Sequence, residues 1–296
     1  MEKQPFSSRT IGEVLREAEQ QLAATSQSPR LDAELLMARL LSGSRTDVII
    51  KMRDRCSVEL EEGFRGLLSR RMAGEPIAYI VGEREFWGLP FEVSQSVLVP
   101  RPESELLVEE ALALCASCTP PRIVDLGTGS GCLVIALLTE LVKKPGVVPK
   151  AVAVDMSPDA LAVAERNAVR HGVREYLTFV QSDWFSHAEA FVPPYDLVLA
   201  NPPYLDLAAP VSIELSCEPP GALFAEEGGF REIRRICDQT AAMIAPGGVL
   251  LCEVGAGKRA ALEAGVLPFQ STWQVSFLGD QSARDSFTVL KVTFGD

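Results

Sequence analysis

The chain has 296 residues, 47% of them hydrophobic and 23% charged, the proportions of a soluble globular protein with room for two domains. Its formal net charge is −12, so it lacks the general excess of Lys and Arg by which proteins hold nucleic acid non-specifically, and no direct nucleic-acid partner is expected. The longest apolar stretch, CLVIALLTELV at 132–142, is shorter than the ~20 residues that span a bilayer, and MEKQPFSSRTIGEVLREAEQ has no apolar signal core, which points to a cytoplasmic protein without a membrane partner.

Residues 1–84 read as a helical domain. TIGEVLREAEQQL opens with Thr10 and places Glu13 three positions later, the spacing of a capping box, after which Ile11, Val14, Leu15 and Ala18 recur at helical spacing. SPRLDAELLMARLL starts a second helix, with Ser28 as the expected cap and Pro29 at its first position. A third helical pattern covers 57–74. No motif of reactive residues stands out here, and packing and substrate recognition both remain open as its role.

Residues 85–104 are rich in aromatic and β-branched side chains broken by Gly88-Leu89-Pro90, and read as a hairpin linker. Residues 105–296 open with the helical pattern ESELLVEEALAL and form the second domain. Cys115 and Cys118 follow as a C-x-x-C, but no second pair exists and His171 and His187 are the only histidines. The cysteines are therefore read as thiols of the core or surface, with no metal site and little material for histidine catalysis.

From residue 122 strands and helices alternate. RIVDLG, AVAVDM, LTFVQSD, YDLVLAN, VLLCEV, TWQVSFL and SFTVLKVTF read as seven strands, with helices at 131–141, 157–172 and 230–246 between them. The last two strands have no helix-length segment between them. The fold class is therefore α/β, a doubly wound, Rossmann-like seven-stranded sheet whose last hairpin is antiparallel, preceded by a small helical bundle.

Such a sheet binds ligands beyond the carboxyl ends of its strands. Three segments are expected there. DLGTGSG, 125–131, turns from strand to helix, and Gly127, Thr128, Gly129, Ser130 and Gly131 form a loop whose glycines allow close backbone approach. The spacing is G-x-G-x-G; the dinucleotide fingerprint would instead want a small third residue at Cys132. Asp155 ends the second strand, 24 residues after Gly131, where a carboxylate can accept both hydroxyls of a ribose or cap the next helix. In SDWF, 182–185, Asp183 is a candidate acceptor for an adenine amino group and Trp184 a candidate cover for the ring. A glycine loop with a ribose carboxylate suits NAD or S-adenosylmethionine.

LANPPYLDL, 199–207, separates these two. Two prolines make the corner after the fourth strand stiff, and they set Asn201 at the same mouth as the glycine loop. A planar nitrogen such as a carboxamide NH₂ is a poor nucleophile. The Asn201 side-chain oxygen and the Pro202 carbonyl can each accept one of its N–H bonds, and Tyr204 can stack on its flat face. The corner reads as a clamp for an amide or amine that receives a methyl group.

DLGTGSG with NPPY resembles the S-adenosylmethionine-dependent methyltransferases of amino groups. RLDAELLMARLL and GEPIAYIVGEREFWGLPFEVSQSVLVPRPESELLVEEAL are similar to the HemK-type release-factor glutamine methyltransferases, and the resemblance runs from about residue 10 to 291. It implies a helical recognition bundle, a linker and a methyltransferase domain. The implied reaction is methylation of the glutamine amide nitrogen in the Gly-Gly-Gln loop of peptide release factors, the protein partners of the enzyme. It assigns Gly127 to Gly131, Asp155, Trp184 and Asn201 to the cofactor, S-adenosylmethionine. Asn201, Pro202, Pro203 and Tyr204 go to the glutamine, with Asn201, Pro202 and Tyr204 catalytic.

Two departures are visible. Ser104 stands where the family usually has threonine, and Ser286 where arginine is common, which unsettles the substrate contacts of the last hairpin. The competing readings are an adenine-N6 methyltransferase on nucleic acid, a glutamine methyltransferase of a ribosomal protein, and a nucleotide-binding regulatory module without catalysis.

Overall fold

The computed structural model describes residues 6–115, 121–255, 257–265, 272–279 and 288–295, and among them the chain forms two compact units. The first comprises 1–83 together with 211–217; the second comprises 84–210 and 218–296.

The helical unit consists of helices Ile11–Leu22, Pro29–Leu40, Arg45–Ile50, Val58–Met72 and Ile77–Val81, with a short ladder between Phe6–Thr10 and Arg55–Ser57. Leu15, Leu22, Leu36, Met37 and Phe64 form its buried centre. Thr10 and Glu13 make the expected reciprocal box, the Thr10 N–H donating to Glu13 at 2.7 Å and the Glu13 N–H to the Thr10 hydroxyl at 3.3 Å. Ser28 makes no such cap; its hydroxyl turns to the Asp32 carboxylate. Asp32 is buried and needs compensation, which Arg71 supplies at 2.7 Å. Arg71 also reaches Glu214 at 3.1 Å, inside the same unit although far along the chain.

A hairpin follows, of strands Glu83–Phe86 and Leu89–Glu92, nearly all of it in the second unit, whose turn residues Trp87 and Gly88 both take positive φ. The main sheet of that unit has strands β1 (Arg122–Leu126), β2 (Lys150–Asp155), β3 (Leu177–Gln181), β4 (Tyr195–Ala200), β5 (Ile244–Val254), β6 (Gln274–Leu278) and β7 (Thr288–Thr293), in the spatial order β6-β7-β5-β4-β1-β2-β3. The pairs β1–β2, β2–β3, β1–β4 and β4–β5 are parallel, whereas β7 runs antiparallel to both β5 and β6. The doubly wound, Rossmann-like sheet with its antiparallel last hairpin is thus present. Val124, Val154, Val198 and Leu250 pack on one face, and Ile123, Ala151, Leu197 and Leu251 on the other. That two-sided burial explains why the strands read as continuous apolar runs.

One helix is shorter than its pattern. Periodicity suggests 230–246, but the helix covers Arg231–Thr240 and β5 begins at Ile244. The Tyr195 N–H donates to the Met243 carbonyl, and Ile244 pairs with Tyr195 before a bulge over Pro246-Gly247-Gly248, so sheet pairing claims the end of the helical pattern. Cys118 and Ser286 lie outside the described residues.

Asn167, on the helix Pro158–Arg170, ties the hairpin to the loop after β1. Its fully buried side chain accepts from the Glu92 N–H at 2.8 Å and donates to the carbonyls of Glu92 at 3.0 Å and Ser130 at 2.9 Å. Asn167→Ala strands these backbone groups, and a loss of about 2–4 kcal/mol is expected. A lowered midpoint in thermal or urea unfolding checks this.

Candidate active site

Backbone register brings the candidate residues together. Leu126 at the tip of β1 pairs with both Val154 and Ala200, and Asp155 pairs with Gln181. Cys252 of β5 pairs with Ala200. The residues just beyond these pairings, Gly127, Asp155, Ser182, Asn201 and Glu253, therefore stand in a row along one edge. A cavity of about 410 Å³ opens there, lined by Gly127, Thr128, Gly129, Ser130, Asp155, Trp184, Asn201 and Pro203 among others. Gly131, Pro202 and Tyr204 are not in its wall.

Gly127, Gly129 and Gly131 all have positive φ, 70°, 55° and 80°. The space around them differs. A Cβ on Gly131 would lie 2.7 Å from Ile135 Cδ1 and 3.2 Å from Ala164 Cβ, so this glycine is imposed by helix packing. A Cβ on Gly129 would meet nothing within 4 Å, and its surroundings leave open space on the cavity side. Close packing thus falls at 131, not at Cys132, which accounts for the G-x-G-x-G spacing. Cys132 is half-buried and lines the cavity, and the burial it does have pushes its thiol up to about 12. Asp125 beneath the loop is fully buried. Burial raises its carboxyl to about 7, even though the Thr128 hydroxyl donates to it at 2.7 Å.

Asp155 accepts from the Gly129 N–H at 3.0 Å through one oxygen and from the Ser157 N–H at 2.9 Å through the other. Each oxygen keeps a further lone pair. The Ser157 hydroxyl, not Asp155, caps the next helix, accepting from Ala160. Burial raises the Asp155 pKa against the lowering effect of these amides.

Trp184 takes positive φ, and its indole N–H donates to Glu232 at 2.6 Å, which fixes the ring over Gly127. Asp183 lines the cavity, and one of its oxygens has a partner that the sequence does not show. Its carboxylate is paired with Arg235 at 2.6 Å, and Arg235 also binds Glu232 at 2.9 Å. Arg235 sits on a helix remote in sequence, so its approach is not visible in the SDWF segment.

At the corner, Pro202 and Pro203 are buried between half-buried Asn201 and Tyr204. The Asn201 Nδ2 donates to Ser104 Oγ at 3.2 Å, and Ser104 Oγ donates to Glu253 Oε2 at 2.5 Å. The Tyr204 hydroxyl donates to Glu253 Oε1 at 3.2 Å. Burial, then the Glu253 charge, push that phenol well up. Tyr204 is held tightly: a Cβ on Gly229 would lie 2.0 Å from its carbonyl, and one on Gly255 would lie 2.5 Å from its ring. The ring's position against Gly255 keeps it out of the cavity wall. Among the described residues no group of His, Cys, Asp and Glu is placed to hold a metal ion, and no helix is long and apolar enough to cross a membrane.

Comparison with known proteins adds identity to this geometry. Residues 13–82 match the family described as PrmC N-terminal domain, and residues 121–250 match a methyltransferase domain. A release factor glutamine methyltransferase of Nitratidesulfovibrio vulgaris is 38% identical over 287 residues, spanning 95% of each chain. The chain belongs to the release factor glutamine methyltransferase family. Members named alike from Salmonella typhimurium and Escherichia coli are 41% and 40% identical over 243 residues, covering 81% of this chain and 84% of theirs. In fold alone the chain is similar to the solved hMettl16 catalytic domain in complex with MAT2A 3'UTR hairpin 6, at TM-score 0.55 and 17% identity over 78% of this chain and 82% of that one.

In this member of the release factor glutamine methyltransferases, no sequence motif singles out Glu253. The available signal was a lone acidic residue near the end of the apolar run VLLCEV, where a charge that is 1% exposed needs a reason. Ser104 stands out in the sequence only as a departure from threonine; its hydroxyl is the link between Glu253 and Asn201.

The two loop glycines yield a contrast. Gly131→Ala meets both positive φ and a wall of side chains, and is expected to cost about 2–3 kcal/mol, against about 1 kcal/mol for Gly129→Ala, which meets only the φ penalty. Parallel thermal unfolding of the two variants measures the difference.

Proposed function

We propose that this protein methylates the side-chain amide nitrogen of the glutamine in the Gly-Gly-Gln motif of peptide chain release factors, with S-adenosylmethionine as donor. The observation that carries this reading is the Asn201-Pro202-Pro203-Tyr204 corner at the tip of β4, in register with the glycine loop. Relatives that carry the release factor name, at up to 95% coverage of this chain, support the substrate.

The cavity suits that donor. Its volume is in the range of small-molecule sites. Ser130 Oγ is buried without a hydrogen-bond partner, and the open space beside Gly129 allows an approach to bare backbone. Asp155, with one lone pair free on each oxygen, would hold the ribose hydroxyls. Trp184, Leu133 and Met156 supply the apolar wall for an adenine ring. When bound there, the donor supplies a methyl group on a positively charged sulfur.

The chain's own contribution is positioning and polarisation. The Asn201 carboxamide oxygen and the Pro202 carbonyl each accept one N–H of the substrate amide, which concentrates electron density on nitrogen and points its lone pair along the line of transfer. As the nitrogen becomes positively charged, both acceptors interact with it more strongly than in the ground state. The proton is then shed to solvent, so no histidine is required. The prolines make these acceptors rigid beforehand. Residues 1–84 carry none of the cavity-lining groups, and we assign them to recognition of the release factor outside the Gly-Gly-Gln loop.

Mass spectrometry of a purified release factor after incubation with enzyme and S-adenosylmethionine tests the reading. The expected result is a gain of one methylene mass on the Gly-Gly-Gln peptide, at the glutamine. Transfer to adenine in DNA or RNA instead, with the release factor unmodified, would replace this reading with the nucleic-acid one.

A further inference from the structure

We propose that Glu253, acting through Ser104, is a positioning residue that fixes which arm of the Asn201 carboxamide faces the substrate, and that it does so as the carboxylate. The inference rests on the functional reading above and deepens it.

Hydrogen-bond direction is what distinguishes the two arms. A carboxamide is nearly symmetric in shape, so sterics alone do not tell its oxygen from its nitrogen. Turned the wrong way, Asn201 would present an N–H to the N–H of a target amide and repel it. Something must therefore impose polarity. Glu253 is 1% exposed and Ser104 2%, so solvent does not set the direction of their bond. A carboxylate can only accept. With Oε2 at 2.5 Å, the Ser104 proton points to Glu253, leaving only lone pairs on Oγ. Asn201, at 3.2 Å from that oxygen, can then offer only its NH₂. Its oxygen, the other arm of the same group, is left for the cavity that Asn201 lines.

The other oxygen of Glu253 accepts the Tyr204 hydroxyl at 3.2 Å. One carboxylate thus anchors both ends of the four-residue corner. The register of β4 and β5, where Cys252 pairs with Ala200, places Glu253 beside Asn201 to do this.

Protonation would undo the device. A carboxylic acid at Oε2 donates, the Ser104 hydrogen is released from its fixed direction, and the distinction between the two arms of Asn201 is lost. The titratable groups around Glu253 are Arg101 and Glu103 on the segment before Ser104, Tyr204 after β4, Cys252 on its own strand and Cys132 at the start of the helix after β1. Burial is the largest influence and raises its pKa to about 7, against the lowering bonds from Ser104 and Tyr204; Glu103 raises it and Arg101 lowers it. The competent form therefore exists above that pH and declines below it.

The test is single-turnover methyl transfer to a purified release factor at saturating S-adenosylmethionine, followed across pH for the wild type, Glu253→Gln, Ser104→Ala and the double variant. The wild-type rate constant is expected to rise with pH through neutrality. Glu253→Gln, whose amide can donate as well as accept, is expected to be about 10- to 100-fold slower and to lose that rise. A residue that served only stability would change the unfolding midpoint and leave the pH profile in place. Ser104→Ala keeps the carboxylate but breaks the link, and is expected to be slowed comparably even if Glu253→Gln fails to fold. The double variant is expected to be no slower than the slower single, since both break one chain of bonds. Wild-type rate and wild-type pH profile in Glu253→Gln, or losses that multiply in the double variant, would overturn the proposal. A wild-type protein that methylates no release factor would instead overturn the functional reading on which it rests.

Discussion

The parallel pairing of β1 with β4 is the constraint from which the site follows. Chain order runs outward from β1 through β2 to β3, then returns to lay β4 on the other side of β1. Helices leaving these strands in opposite directions cannot fill the mouth between them, so a crevice opens at the reversal. Leu126 opposite Ala200 then fixes Gly127 and Asn201 as neighbours, although 74 residues separate them in the chain. A shift of one residue in this register would turn both side-chain sets to the wrong faces. The buried valines and leucines that hold the register are therefore as necessary to chemistry as the polar groups at the strand tips.

On that frame the molecule concentrates unfavourable electrostatics. Asp125 and Glu253 are carboxyl groups without solvent, each raised to about 7, and both lie within the strand-tip layer under the cavity. Neither has a cationic partner at hydrogen-bond distance among the described residues; hydroxyls of Thr128, Ser104 and Tyr204 serve them instead. Such groups reduce stability relative to apolar ones of similar size. Positive φ at Trp184, a residue with a side chain, adds to the cost. These features gather at one edge of the sheet, whereas its two hydrophobic faces are conventionally packed. The cost of folding is located where direction and rigidity of polar groups matter.

Much of this was legible in the residue order. Alternation of apolar runs with helical periods is set by local geometry and burial, and it yielded the sheet, its final hairpin and the helical bundle. Gly127 to Gly131, Asp155 and the Asn-Pro-Pro-Tyr corner announce themselves because glycine and proline are locally unusual. What escaped depends on partners distant in sequence. Ser104 and Glu253 are 149 residues apart and make sense only together. The Asp183 partner Arg235 lies 52 residues away. Gly229 and Gly255 are required by the carbonyl and ring of Tyr204, a demand no local pattern encodes. The excursion 211–217 belongs with the helical unit through contacts such as Glu214 with Arg71, again across a long gap.

In the proposed reaction Asn201 holds the target amide for transfer by its oxygen, while its nitrogen is committed to Ser104. The most direct measurement is the single-turnover rate of methyl transfer to a release factor by Asn201→Ala and Asn201→Asp, at saturating S-adenosylmethionine, with cofactor affinity measured separately by calorimetry. Alanine removes the acceptor. Aspartate keeps an acceptor but loses the donor to Ser104 and sets a second carboxylate near Glu253. Both variants are expected to slow by ~10²–10³, beyond any loss in cofactor affinity. Transfer at the wild-type rate by Asn201→Ala would contradict this role of Asn201.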